Sequence, residues 1–171
     1  FYGGAGARPD RDGAPAVSGA SNVRNTPVEA VEAEFPLRIS QYNLAENSGG
    51  AGEFRGGLGT VREFEFLAPA EVQCLHERFR VGAYGLDGGD DGETGSAVLN
   101  PGTAAKKQIA SKDQLTVKKK DTLRIQSPGG GGFGAPTKRS EEAIREDIKN
   151  DFISHRSASI DYGFESVKLG E

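Results

Sequence analysis

The sequence contains few of the residues that carry metal, disulfide or thiol chemistry. There is one cysteine, Cys74, and there are two histidines, His76 and His155. A single cysteine excludes an internal disulfide and fits a reducing compartment. Because the two histidines lie far apart in the chain, they form no local metal-binding motif, and the sequence predicts no metal site in this chain. Cys74 lies within an apolar stretch and is interpreted as a small core residue.

Strong charge of either sign and long apolar runs are also missing. The 21 basic and 25 acidic residues leave a net charge of −4, without the basic excess that favours nucleic-acid binding. No apolar run approaches the length of a membrane span, and no secretory signal opens the sequence. These observations predict a soluble, cytoplasmic protein that binds neither nucleic acid nor membrane.

The sequence has no methionine and begins at Phe1. Its first nine residues are rich in glycine and carry no helix or strand pattern. Processing of a natural N-terminus would explain this start, and so would a cut within a longer chain. We expect the second, in which an N-terminal portion is missing.

Glycine, in contrast, is abundant and clustered. The 25 glycines are about twice the usual share, and they follow no fixed period, which excludes collagen. Well-formed apolar patterns lie between the clusters, so disorder is a poor interpretation. Such clusters predict tight turns and backbone that passes close to another part of the protein. They lie at residues 3–6, 49–59, 88–89 and 129–132.

Alternating apolar and polar residues predict short strands between residues 37 and 125. The segment at residues 72–77 has apolar side chains on both faces, so we expect a mostly buried strand there. Residues 1–27 are expected to form an extended lead-in, and residues 28–34 a helical turn or the start of a strand. The predicted strands are residues 37–42, 59–67, 72–77, 97–99 and two within 106–125.

After Pro136 the apolar period becomes that of a helix. Ser140 is a typical N-cap residue, and Ile144, Ile148 and Phe152 form one apolar stripe. Ser154 is expected to cap a second short helix that ends at Gly163.

The sequence therefore predicts an α+β, mainly β fold with a sandwich-like or barrel-like core of short strands. A glycine-rich domain with the extended lead-in is expected at residues 1–136. A small C-terminal helical tail is expected at residues 137–171.

The run of four glycines after Pro128 is the strongest candidate for a ligand site. Consecutive glycines can point successive amides into one concavity that holds an anion or a phosphate. A tight connector or an intersubunit packing loop is the alternative. The run lacks the Lys-Ser/Thr pair of a P-loop, so nucleotide binding of that kind is not predicted. The candidate substrate-binding residues here are Ser127, Gly129, Gly130, Gly131 and Gly132.

A second candidate is the segment Arg24-Asn25-Thr26. Arginine can hold a carboxylate or phosphate through two parallel hydrogen bonds. Asn25 and Thr26 can orient a carbonyl, or they can stabilise the turn before Pro27. Glu77 and Arg55 are interpreted instead as members of buried ion pairs. No Ser-His-Asp pattern is present to name, so the catalytic residues stay unknown.

Several of these segments, in this order, resemble the C-terminal region of the hydantoinase B/oxoprolinase family. The resemblance covers nearly the whole chain. Each glycine cluster alone is weak evidence for the resemblance, but the order and rough spacing of the segments agree with the family. The longest shared motifs are Arg24-Asn-Thr-Pro-Val-Glu29, Ser48-Gly-Gly-Ala-Gly-Glu-Phe-Arg-Gly-Gly-Leu-Gly59 and Ser127-Pro-Gly-Gly-Gly-Gly-Phe-Gly134.

The resemblance implies the C-terminal part of the B-type subunit of an ATP-dependent cyclic-amide hydrolase, which opens hydantoin, 5-oxoproline or lactam rings. It implies two partners in a hetero-oligomer, the N-terminal part of the B-type chain and an A-type ATP-binding subunit. ATP and a divalent metal are expected in the full complex but not on this segment, which is expected to be inactive alone.

Two alternatives stay open. Residues 17–24 lack the histidines that many family members carry there, which favours the related ATP-dependent ketone carboxylases. A non-catalytic structural or assembly module of such a complex is the other alternative.

Overall fold

The computed structural model describes residues 2–17 and 25–165. In this part of the chain, two antiparallel sheets form a sandwich, glycine-rich segments connect the strands, and three short helices are present. The strands are β1 (Leu37–Leu44), β2 (Thr60–Phe66), β3 (Ala70–Leu75), β4 (Ser96–Leu99), β5 (Lys107–Ile109), β6 (Lys112–Val117) and β7 (Thr122–Gln126). The helices are α1 (Val28–Glu34), α2 (Glu141–Lys149) and α3 (His155–Tyr162), with a 3₁₀ turn at Pro136–Lys138.

Five strands form the larger sheet in the order β1-β2-β7-β4-β5, and all neighbours are antiparallel. Phe64 of β2 pairs with Ile39 of β1 on one side and with Leu123 of β7 on the other. Because directly paired residues share a face, these side chains form one apolar surface. The register shifts between Ile39 and Gln41, which marks a β-bulge in β1.

Strands β3 and β6 form a two-stranded sheet that packs on this apolar surface. Cys74, Leu115 and Val117 from the smaller sheet share a core with Leu123 and Ile125 from the larger one. All five residues are buried, and removal of apolar area from water stabilises the sandwich by roughly 25 cal/mol per Å². The predicted α+β, mainly β fold with a sandwich-like core is confirmed.

Strand β3 is less buried than its sequence predicts. Cys74 is only 2% exposed, whereas its neighbour Leu75 is 69% exposed. Only one face of β3 packs on the larger sheet, and among the described residues no layer covers the other face. The prediction of a mostly buried strand is therefore wrong, because an apolar residue on the outer face was read as a second buried face.

Capping residues begin and end the C-terminal helices as predicted. The Ser140 hydroxyl accepts a hydrogen bond from the Ala143 amide at 3.2 Å, and the Ser154 hydroxyl accepts one from the Ser157 amide at 3.1 Å. Helix α3 ends at Gly163, whose φ of 67° places it in the left-handed region. For residues 28–34 the helical alternative is confirmed.

A second apolar core joins the helical tail to the glycine-rich part of the chain. Helix α2 ends at Lys149, so Phe152 lies beyond it and the helical stripe is shorter than predicted. The Phe152 ring instead lies under the guanidinium of Arg55, 5.0 Å from the ring centroid. The second core contains Ala51, Ile144, Ile153, Ala158, Tyr162 and Phe164.

The helices of residues 2–17 and 25–165 are too short or too polar to cross a lipid bilayer.

Candidate functional site

The candidate glycine run lies at the centre of a group of extended backbone segments. The Gly130 amide donates to the Gly57 carbonyl at 2.9 Å, and the Gly57 amide donates to the Ala5 carbonyl at 2.8 Å. The Gly132 amide donates to the Asp90 carbonyl at 2.9 Å. Four segments are therefore joined by backbone hydrogen bonds alone. We call them the glycine bundle, defined as residues 3–7, 48–59, 82–93 and 128–134.

Each glycine of the run touches one of the three other segments of the bundle at a distance that excludes a side chain. A Cβ atom on Gly129 would lie 1.7 Å from the Ser48 carbonyl oxygen, and one on Gly130 would lie 2.0 Å from that of Ala5. At Gly131 and Gly132 the corresponding distance is 2.1 Å, to the carbonyl oxygens of Tyr84 and Ala51. The glycines are thus required because backbone packs directly on backbone.

This geometry differs from an anion-binding nest. A nest places successive residues in right- and left-handed conformations, but none of the four glycines has a positive φ. The amides of Gly129, Gly130 and Gly132 already donate to backbone carbonyls. The run is therefore a packing element, as in the connector alternative, and a substrate-binding role for it stays a prediction.

Ser127 connects the N-terminal lead-in to the larger sheet. It is 5% exposed, and its hydroxyl donates to the Tyr2 carbonyl at 2.7 Å. The same oxygen accepts the Thr60 amide at 2.7 Å. These bonds satisfy the hydroxyl within the protein, so the structure gives Ser127 a packing function, and a substrate contact stays a prediction.

Asn25 and Thr26, from the second candidate segment, lie apart from the glycine run. The Asn25 side-chain amide donates to the Tyr42 hydroxyl at 2.9 Å, and the Arg62 guanidinium lies 3.9 Å from the Tyr42 ring centroid. Thr26 is exposed. Arg24 and the histidine-free residues 18–24 lie outside the described residues.

Strand β2 relates the two candidate places. Arg62 and Thr60 lie two residues apart on the same face of β2, a separation of about 7 Å along a strand. Strand β2 therefore carries both Thr60, which contacts Ser127, and Arg62, which contacts Tyr42, the partner of Asn25.

The sequence interpretation missed a buried ion-pair network. Both terminal nitrogens of Arg139 donate to the Asp12 carboxylate, each at 2.8 Å. One of them also donates to Asp147 at 2.7 Å, and Arg55 donates to the same Asp147 oxygen at 3.1 Å. Arg55, Arg139 and Asp147 are 3%, 7% and 5% exposed. We call Asp12, Arg55, Arg139 and Asp147 the ion-pair network.

One sequence signal could have indicated the network. Asp147 lies three residues after Ile144 and one before Ile148, on the apolar face of α2. An acidic side chain on the buried face of an amphipathic helix requires a buried cation. The predicted buried ion pair of Arg55 is thereby confirmed. A polar cleft of about 440 Å³ lies beside Asp12 and Arg139.

The charges of the network shift the pKa values around it. Burial alone would raise the pKa of Asp12, but the hydrogen bonds and charge of Arg139 outweigh it and hold the pKa below its usual 3.8. Burial raises the pKa of the Tyr162 phenol to about 12. The lowered pKa keeps Asp12 ionised in its pair with Arg139 at neutral pH, which suits a structural role.

The buried ion pair predicted for Glu77 is wrong. The Glu77 side chain is 83% exposed and contacts Lys112 at 3.3 Å. The next residue, Arg78, has a left-handed φ of 58° and donates to the Gly82 carbonyl at 3.0 Å. The chain turns away from the core directly after β3, which carries the charge pair out to solvent.

Within the described residues, metal-ligating side chains are dispersed, and most amides of the glycine run are hydrogen-bonded to backbone. Within residues 2–17 and 25–165, no three His, Cys, Asp or Glu side chains come together to hold a metal ion. The glycine run offers no phosphate cradle, because three of its four amides are occupied. Burial raises the pKa of the Cys74 thiol, which disfavours the nucleophilic thiolate.

Known proteins share both the sequence and the fold. The sequence profile of the hydantoinase B/oxoprolinase family matches residues 1–136. A Pseudomonas sp. (strain NS671) protein, named for the B-type component of a D-/L-hydantoinase, is 34% identical over 161 residues, which cover 92% of this chain and 27% of the relative. The 5-oxoprolinase of Dictyostelium discoideum is 38% identical over 133 residues, or 77% of this chain and 10% of the relative.

Two solved structures share the fold. The ATP-dependent caprolactamase of Pseudomonas jessenii superposes with a TM-score of 0.85 at 28% identity, over 99% of this chain and 31% of that one. A nucleotide-free acetone carboxylase superposes with a TM-score of 0.79 at 19% identity, over 97% of this chain and 27% of that one. The chain thus spans about a quarter to a third of these solved chains, and a similar or smaller share of its curated relatives.

Proposed function

Because the chain belongs to the hydantoinase B/oxoprolinase family, we propose that it forms the C-terminal part of the B-type subunit of an ATP-dependent cyclic-amide hydrolase. The single observation that carries the proposal is the superposition with a caprolactamase over 99% of this chain. Relatives named for hydantoinase and 5-oxoprolinase support the same chemistry. Hydantoin, 5-oxoproline and caprolactam all contain an amide bond within a ring, so ring opening is the reaction the names share.

In this proposal the chain supplies a rigid wall of the complex rather than the reacting groups. The glycine bundle fixes four backbone segments against each other without side chains, and the ion-pair network fixes the tail on the lead-in. ATP and the divalent metal would be bound by the rest of the complex. The partners would be the remaining part of the B-type polypeptide and an A-type subunit, in a cytoplasmic hetero-oligomer.

An ATP-dependent ketone carboxylase is the second candidate. The acetone carboxylase superposes at 19% identity, which supports the fold alone. A purely structural or assembly module is the third, and the packing function of the glycine bundle favours it for this region. The carboxylase candidate would replace the proposed substrate, whereas the assembly-module candidate would limit what this region contributes to the reaction.

The test uses the native polypeptide that contains this chain, purified with its A-type partner. We expect ATP-dependent opening of at least one of hydantoin, 5-oxoproline and caprolactam, followed as ring-opened product and ADP. ATP-dependent acetone carboxylation without ring opening would replace the hydrolase with the carboxylase. Turnover by the 171-residue chain alone would contradict the proposal that the rest of the complex supplies the reacting groups.

A further inference from the structure

The two sheets of the sandwich differ greatly in width. From β1 to β5 the larger sheet is four strand spacings wide, about 19 Å, whereas β3 and β6 are one spacing apart, about 5 Å. The buried core lies where β3 and β6 cover β7, β4 and β5, and it extends to Phe66 at the end of β2. The smaller sheet therefore leaves the apolar face of β1 and β2 with only partial cover.

An apolar groove of about 530 Å³ lies between the larger sheet and β3. Leu37, Phe64 and Phe66 of the larger sheet line one side, with Phe35 at the entrance to β1. Phe35 is 51% exposed. Every residue of β3 lines the other side. Because both faces of β3 contribute, the groove runs along the edge of that strand.

The edge of β3 that faces away from β6 presents unpaired backbone groups within the described part of the chain. The His76 amide donates to the Ser111 carbonyl at 2.7 Å, which fixes the alternation of the β3–β6 ladder. In an antiparallel pair every second residue directs its N–H and C=O toward the partner strand. The backbone N–H and C=O groups of Val72 and Cys74 point toward β6, as those of His76 do. The backbone groups of Glu71, Gln73 and Leu75 therefore point away from β6.

We propose that this groove receives an extended strand from the rest of the B-type polypeptide, which pairs with the free edge of β3 and covers β1 and β2. The inference rests on the proposed function, because a B-type polypeptide supplies the strand. Its apolar side chains, at every second position, would face Phe35 and Leu37 on the larger-sheet side of the groove. The pairing would widen the smaller sheet to three strands.

Two observations favour a strand from the same polypeptide. An edge strand with free amides and carbonyls selects an extended peptide by its backbone, and the apolar groove beside it selects alternate apolar side chains. The matched region is only 27% of the Pseudomonas sp. relative, so such proteins carry a long polypeptide outside it. A second copy of this chain or a small apolar molecule are the other possible occupants.

The experiment measures hydrogen exchange at β3. One sample is the 171-residue chain, and the other is a B-type polypeptide in which this chain replaces the matched region of the Pseudomonas sp. relative. We expect the amides of Glu71, Gln73 and Leu75 to exchange at least about tenfold more slowly in the full polypeptide. The amides of Val72 and Cys74, which face β6, should be protected in both samples.

A pair of substitutions tests the backbone pairing itself. Gln73→Pro removes an amide at the free edge but no β3–β6 hydrogen bond, and proline is tolerated at strand edges. Gln73→Ala keeps the amide and is the matched control. In the full polypeptide, Gln73→Pro should abolish the slow exchange at Glu71 and Leu75, whereas Gln73→Ala should keep it.

Equal exchange at Glu71, Gln73 and Leu75 in the two samples would overturn the proposal. Protection that depends on concentration and accompanies dimerisation of the isolated chain would assign the groove to a second copy instead. The unaltered Pseudomonas sp. relative gives the same readout at its aligned positions if the hybrid polypeptide does not fold. Exchange requires no turnover, so a failure of the ring-opening assay leaves this result interpretable.

Discussion

The guanidinium of Arg139 holds the carboxylate of Asp12 through two parallel hydrogen bonds of 2.8 Å. The two residues are 127 positions apart, one in the N-terminal lead-in and one just before α2. Two parallel hydrogen bonds fix the orientation of the guanidinium as well as its distance from the carboxylate. The lead-in and the helical tail are therefore held in one defined arrangement across the glycine bundle, and the ion-pair network is the first feature to test.

Asp147→Asn should destabilise the protein by about 3 kcal/mol or more, because it leaves the buried guanidinium of Arg55 without its anion. Glu141→Gln is the matched control on the same helix, since Glu141 is 75% exposed in its pair with Arg145. The control should change the free energy of unfolding by less than about 0.5 kcal/mol. Urea unfolding followed by circular dichroism measures both. Equal effects of the two substitutions would contradict the structural role of the network.

The ion-pair network should also make stability depend on pH in the acid range. The pKa of Asp12 is lower in the folded protein than its usual 3.8. A lowered pKa adds stability that is present above the unfolded value and is lost as the pH falls through the folded one. We therefore expect unfolding to become easier below about pH 4.

Asp12→Asn should flatten this acid-range decrease, measured by urea unfolding at a series of pH values from 7 to 3. Asp10→Asn is the control, because the Asp10–Arg11 pair lies at the surface and water screens it. An acid-range decrease that is as steep in Asp12→Asn as in the wild type would show that other groups cause it.

Gly130→Ala should destabilise the glycine bundle strongly. Its Cβ would lie 2.0 Å from the Ala5 carbonyl oxygen, and relief of such overlap moves backbone, at a cost of about 3 kcal/mol or more. Gly6→Ala is the matched control, because its Cβ would meet nothing closer than 3.9 Å. Thermal unfolding should show a large decrease in Tm for the first variant and almost none for the second. A stable Gly130→Ala variant with altered substrate KM would instead support the ligand site.

Ser127→Ala should cost about 1–3 kcal/mol, since it leaves the buried Thr60 amide without its partner and removes the shorter hydrogen bond to the Tyr2 carbonyl. Thr26→Ala, at an exposed position, should leave the free energy of unfolding unchanged. In the full complex, a raised KM in Ser127→Ala at unchanged stability would assign Ser127 to the substrate instead. Urea unfolding and steady-state kinetics on the same preparations separate the two roles.

Local patterns in the sequence predict most of the secondary structure. Ser140, Ser154 and Gly163 act through neighbours within a few residues, so their capping functions can be read from the sequence alone. The alternation around Phe64 likewise predicts both the strand and its buried face. The period of the apolar pattern and the capping residues depend on near neighbours in the chain, so both can be read from the sequence.

Contacts between distant segments could not be read in the same way. Four consecutive glycines indicate close approach, but only the fold shows that carbonyls of other segments lie against them. Glu77 and Asp147 show the same limit for charge. Glu77 is exposed and Asp147 is buried. The position of the turn after β3 decides the exposure of Glu77, and the packing face of α2 decides the burial of Asp147.

The glycine bundle also has a consequence for how the chain folds. Its segments come from residues 3–7, 48–59, 82–93 and 128–134, so few of its hydrogen bonds are local in sequence. Chains dominated by such distant contacts fold slowly, because long loops must close before any of the contacts form. The bundle cannot be completed until residue 134 has left the ribosome, and the early segments meet their partners only then. Synthesis of this region should therefore be a stage at which the nascent polypeptide depends on chaperones.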